Sequence, residues 1–128
     1  MAEGKFGTAF NCMDGRTQLP VYKYLSEKYG LDYVDMITEP GADRALTQGS
    51  HALLESLKAK ASVSVNGHGS NIIAVVGHHD CAGYPVSKDE HIAQTKVAVN
   101  VVRGWGFPAE VIGLWVDENG QVHDIDGP

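Results

Sequence analysis

The sequence has only two cysteines, Cys12 and Cys81, in 128 residues. Small secreted scaffolds held by disulfides carry several pairs, so that framework is excluded and a cytoplasmic location is the expectation. Long apolar runs are missing too: the longest, Ile72-Ile73-Ala74-Val75-Val76, falls well short of the ~20 residues of a membrane-spanning helix. Positive charge is in deficit, with 10 Lys plus Arg against 16 Asp plus Glu and a formal charge of −6. No basic cluster offsets the deficit, which argues against nucleic acid and anionic membrane as partners. The start, Met-Ala-Glu-Gly-Lys-Phe, lacks a basic segment followed by an apolar stretch, so the chain reads as mature protein. There is no repeat, low-complexity tract or linker, and the length suits one domain over residues 1–128.

What is present is an alternation of short apolar runs and longer amphipathic segments. Phe6 to Phe10 reads as a strand. Thr17 to Tyr29 reads as a helix with Leu19, Val21, Tyr22 and Leu25 on its apolar side, Pro20 in its first turn and Gly30 past its end. Tyr33 to Ile37 is a second strand, ended by Pro40 and Gly41. Ser50 suits the N-cap of a helix carrying Leu53, Leu54, Leu57, Ala61 and Val65 and stopped by Asn66-Gly67. Ile72 to Val76 has the continuous branched character of a strand buried on both faces. Lys88 to Trp105 reads as a helix with Ile92, Val97, Val101 and Val102 among its apolar positions, and Val111 to Val116 as a fourth strand. Asn119-Gly120 turns the chain back into Gln121 to Ile125. The expected fold is α/β: an open, mainly parallel sheet of order about 2-1-3-4, helices on both faces, and an antiparallel C-terminal edge strand.

In such a sheet the functional crevice lies outside the carboxyl ends of neighbouring strands. Cys12 follows the first strand, while His78 and Cys81 follow the third, so the three meet if those strands are neighbours. Two thiolates and an imidazole suit Zn²⁺. With no third cysteine, the fourth position falls to another residue or to water, as in catalytic sites. Asp14 and Arg16, two residues apart in the following turn, suit a charge-assisted pair beside the metal.

Cys12-Met13-Asp14-Gly15-Arg16 after one strand, with Gly77-His78-His79-Asp80-Cys81-Ala82-Gly83 after a central one, resembles the β-class carbonic anhydrases and their Cys-x-Asp-x-Arg and His-x-x-Cys motifs. The resemblance extends to Ile112-Gly113-Leu114-Trp115-Val116-Asp117 and the hairpin at Gly120. It implies Cys12, His78 and Cys81 as ligands of one Zn²⁺ per chain and Asp14 and Arg16 as a catalytic dyad. It implies reversible hydration of CO₂ to bicarbonate by a zinc-bound hydroxide, and a homodimer or dimer-based homo-oligomer. It also allows a resting state with Asp14 on the metal. His79, beside a ligand, is a candidate proton shuttle. The sequence departs from the family where Thr38-Glu39-Pro40-Gly41 replaces its usual Arg-Asn-Ala-Gly, and Glu39 near the crevice would oppose bicarbonate.

Other readings of the same residues stand beside this one. The cysteines suit small buried apolar residues, or a redox pair lacking the Cys-x-x-Cys spacing. The same site suits COS or CS₂, or a non-catalytic zinc or regulatory module. His51, His68, His91 and His123 read as surface or capping residues, and Trp105 and Trp115 as core or interface aromatics.

Overall fold

The computed structural model describes residues 3–125. Five strands, β1 (Phe6–Cys12), β2 (Tyr33–Glu39), β3 (Ile72–His78), β4 (Glu110–Val116) and β5 (Val122–Asp124), form one sheet in the order β2-β1-β3-β4-β5. The first four are parallel, and β5 returns antiparallel beside β4. The expected topology is therefore present, with β1 and β3 adjacent. β3 is buried at every position, because helices cover both its faces and no water reaches its backbone.

Four helices accompany the sheet: α1 (Gly15–Tyr29), α2 (Ala42–Gln48), α3 (His51–Ser62) and α4 (Lys88–Arg103). The alternation of strand side chains divides the core into two layers. Val21 and Leu25 of α1 pack on Ala9, Ile72, Ala74, Val76, Ile112 and Leu114. On the other face α2, α3 and α4 set Leu46, Leu57, Ala61, Val99 and Val102 against Phe10, Ile73, Val75 and Val111.

Local chemistry sets the helix ends. The Asp14 carboxylate accepts from the Arg16 amide and starts α1, and Gly30, at φ 64°, ends it in the left-handed region. Ser50 caps α3, and Ser87 caps α4 by accepting from the Glu90 amide.

Several expectations are corrected. Because α1 starts at Gly15, Pro20 lies inside the helix instead of in its first turn. Leu19 and Tyr22 are exposed: the buried stripe of α1 runs through Thr17, Val21 and Leu25, four residues apart. Val97 is exposed for the same reason, since α4 buries His91, Thr95, Ala98, Val99 and Val102. The segment after Pro40 and Gly41 forms α2, a helix the sequence did not signal. The helix expected to run through Val65 ends at Ser62 and continues as a π-helical turn over Val63–Gly67.

α1 alone covers its face, so its stripe should dominate stability there. Leu25→Ala is expected to cost about 2–5 kcal/mol in urea unfolding. Leu19→Ala, at an exposed site of the same helix, should stay within about 0.5 kcal/mol.

Candidate metal centre

The parallel register brings the carboxyl ends of β1 and β3 together. Phe10 pairs with Val75, so Cys12 ends its strand beside the Gly77-His78 end of β3. Cys81 returns to this point through a tight turn at His79-Asp80. Asp80 has φ 56°, the one non-glycine residue in the left-handed region among the described residues. Aspartate tolerates that conformation better than most side chains. Arg16 holds the turn from outside, donating to the Asp80 carbonyl at 3.1 Å.

A second close approach completes the enclosure. A Cβ at Gly83 would collide with the backbone of Pro40 and lie 2.6 Å from the Gly41 nitrogen. Glycine is therefore required where the β2–α2 loop meets the Cys81 loop.

Cys12, His78 and Cys81, all buried, offer donor atoms within 4.8 Å of one another. The two sulfurs are 3.9 Å apart and unbonded. Two Zn–S bonds of ~2.3 Å at a tetrahedral angle would separate the sulfurs by ~3.8 Å, so the spacing suits a tetrahedral metal. His78 Nδ1 donates to the His79 carbonyl at 2.8 Å. That bond occupies Nδ1 and leaves Nε2, a buried atom with no well-formed hydrogen bond, facing the Cys12 sulfur. Such an imidazole nitrogen beside two thiols fits a soft divalent cation.

The two thiols share a hydrogen bond. The hydrogen bond from Cys81 pulls the Cys12 thiol well below its ordinary value, helped by His78 and the Gly41 and Asp14 amides. The same neighbour, with burial, pushes Cys81 up. The two sulfurs thus share one hydrogen-bonding proton, with Cys12 the more readily ionised of the pair. At His78, burial opposes the charged ring, but the Cys12 and His79 contacts prevail and raise its pKa.

Asp14 lies beside this cluster, its carboxylate 2.6 Å from Arg16 Nη2 and 3.1 Å from Arg16 Nε. The Arg16 side chain, then its amide, lowers the Asp14 pKa to about 2. Asp14 is thus paired with Arg16 in this structure. His79 is exposed at the rim, its amide donating to the Val116 carbonyl. A crevice of about 70 Å³ reaches His78, flanked by Arg16, Thr17, His79, Val116 and Asp117. Glu39 instead lines a neighbouring cleft of about 400 Å³, with Arg44 on its wall.

Two histidines are not the surface residues expected. His68 is half-buried, its Nδ1 2.7 Å from Asp35. His91 is buried against Asp43, which is itself fully buried and was not singled out from the sequence. The 91, 95, 98, 102 spacing on α4 is the signal that would have found His91, because it puts the ring on the apolar stripe.

Fold and cluster together define an α/β protein able to hold a metal ion in an open three-residue cluster at the carboxyl edge of its sheet. The chain belongs to the putative carbonic anhydrase family, whose model matches residues 2–126. Among solved structures it is similar to the carbonic anhydrase of Streptococcus mutans, at 15% identity and TM-score 0.61, covering 92% of this chain and 80% of that one. Similarity extends to a carbonic anhydrase from Glaciozyma antarctica, at 16% identity and TM-score 0.60, with 92% and 80% covered. A third similar structure is from a study of two tetrameric β-carbonic anhydrases of Sordaria macrospora, at 12% identity and TM-score 0.61, with 95% and 81% covered. At these identities the likeness is one of fold. The comparison with curated proteins gives no match.

Metal binding must displace the proton shared by the sulfurs. Zinc affinity is expected to rise about tenfold per pH unit through neutrality, and more steeply below the raised pKa of His78, where a second proton must leave. Competition against a chromophoric chelator across pH measures this, and an affinity indifferent to pH would refute it.

Proposed function

We propose that the protein catalyses the reversible hydration of CO₂ to bicarbonate with one zinc ion per chain, held by Cys12, His78 and Cys81. The convergence of these donors, with His78 Nε2 lacking a well-formed hydrogen bond and the sulfurs at metal spacing, carries the reading. Family membership supplies the reaction class. When bound, zinc acts as a Lewis acid that makes a nucleophilic oxygen available near neutral pH.

The chain's own groups do the remaining work. Arg16 keeps Asp14 ionised at every physiological pH, so the carboxylate only accepts hydrogen bonds. Asp14 thereby orients a hydroxyl donor with its lone pair toward the incoming carbon. As the new C–O bond forms, one C=O electron pair moves onto oxygen, giving bicarbonate; the proton of the consumed water leaves for solvent. His79, exposed at the rim, carries that proton outward. The crevice that reaches His78 is small, about 70 Å³, which is compatible with a triatomic substrate. COS and CS₂ share that size and an electrophilic carbon, which makes them the second reading.

We extend the proposal to assembly. The Sordaria macrospora proteins are described as tetrameric, and here Met13, beside the ligand Cys12, is 63% exposed. The reading of assembly rests on those proteins of the same fold, with Met13 available to a contact at the site's edge. A homodimer or dimer-based homo-oligomer follows, to be checked by light scattering.

Stopped-flow measurement on zinc-loaded protein is expected to show CO₂ hydration from neutral to mildly alkaline pH. Asp14→Asn and Arg16→Ala should each lower kcat/KM by about 10²-fold or more with zinc content unchanged. Cys12→Ser and His78→Ala should lose the metal, and full zinc occupancy in either would sink the ligand assignment. Turnover of COS alone would transfer the function to the second reading; zinc-loaded protein inert toward both would make this a non-catalytic zinc module.

A further inference from the structure

Behind the metal centre lies a buried polar pair that the proposed chemistry does not use. Asp43 of α2 is wholly buried and the His91 side chain of α4 is 3% exposed, with His91 Nε2 3.0 Å from Asp43 Oδ2. His91 Nε2 and Asp43 Oδ1 have no hydrogen-bond partner among the described residues, while Asp43 Oδ2 accepts from Thr95 Oγ1 at 3.4 Å. Burying a carboxylate and an imidazole between two helices is costly, and apolar residues of similar volume would pack there at lower cost.

The surroundings point to a role. Gly77, one residue before His78, faces α4, and a Cβ there would lie 2.5 Å from Thr95 Oγ1, 3.1 Å from His91 Cδ2 and 3.3 Å from His91 Nε2. The missing side chain of Gly77 is thus the slot that His91 and Thr95 fill. Trp115, paired with Gly77 across β4, closes the slot edge-on to the His91 ring at 5.3 Å, and Tyr84 of the Cys81 loop closes it at 5.4 Å. The rings of His91 and His78 are 6.2 Å apart. Thr95 donates to the His91 carbonyl at 2.8 Å, holding that turn of α4.

We propose that His91, braced by Asp43, is a positioning residue for the metal centre. It fills the slot opened by Gly77 and holds the end of β3 and the Cys81 loop, so that the orientation of His78 depends on it. This rests on the reading of Cys12, His78 and Cys81 as zinc ligands.

The test reads zinc affinity by chelator competition and donor geometry from the visible spectrum of cobalt(II)-loaded protein. His91→Ala and Asp43→Ala are expected to weaken zinc binding about tenfold, the low end of the loss seen when a ligand's hydrogen-bonded partner is removed, because they act on His78 through packing, and to shift the cobalt spectrum. Asp43→Asn, which keeps the shape, should restore most of both. Val99→Ala, buried on the same helix, should lower stability while leaving affinity and spectrum unchanged. If His91→Ala does not fold, His91→Asn takes its place. Wild-type affinity and spectrum in the His91 and Asp43 variants would overturn the proposal, as would equal changes in Val99→Ala. Wild-type protein that takes up neither zinc nor cobalt would instead refute the ligand reading on which it stands.

Discussion

The adjacency of β1 and β3 in a parallel sheet is the constraint from which the rest follows. Parallel strands end at one edge, and only neighbours end within ligand distance of each other. With Phe10 opposite Val75, the chain delivers Cys12 and His78 to one point although 65 residues separate them in sequence. An antiparallel partner, or a strand between these two, would put the donors at opposite ends or roughly 10 Å apart. The buried run of β3 therefore serves the site as well as the core.

That edge gathers negative charge. The Cys12 thiol is pulled toward its thiolate, Asp14 has a pKa lowered to about 2 by Arg16, and Asp80 sits in the intervening turn. Arg16 is the counterweight, reaching both Asp14 and the Asp80 carbonyl. Its exposure would make either contact weak alone. Its value lies in tying the loop after β1 to the loop after β3, with a planar group whose several donors point in fixed directions.

Much of this was legible in the sequence because periodicity and motif spacing are local signals. The strand order, the two-part Cys12 and His78-Cys81 arrangement and the Asp14-x-Arg16 pair needed no knowledge of packing angles. The features that are not local depend on contacts between elements. α2 is seven residues long and follows Pro40 and Gly41, so breakers masked a helix held mainly by burying Ala42, Ala45 and Leu46 against α4 and the sheet. Apolar character alone points Leu19, Tyr22 and Val97 inward, but it is a one-way guide and each helix buries only a narrow stripe. For His91 the converse holds: its polar type points outward, although its four-residue step to Thr95 lies on that stripe.

The loops around the cluster are fixed by contacts that need no metal. Arg16 holds the Asp80 turn, Gly41 and Gly83 allow two backbones to touch, the His79 amide is tied to Val116, and the His79 carbonyl sets the His78 ring. A site assembled this way loses little conformational freedom when a cation enters, so binding energy is not consumed in ordering loops. The remaining cost is chemical, the release of the proton shared between Cys12 and Cys81. Loop order and proton affinity are thus separable in this fold: glycines, an arginine and backbone bonds set the first, and the spacing of two sulfurs sets the second. A substitution far from the sulfurs can loosen the donor geometry without altering the protonation chemistry, whereas a change at either sulfur alters both.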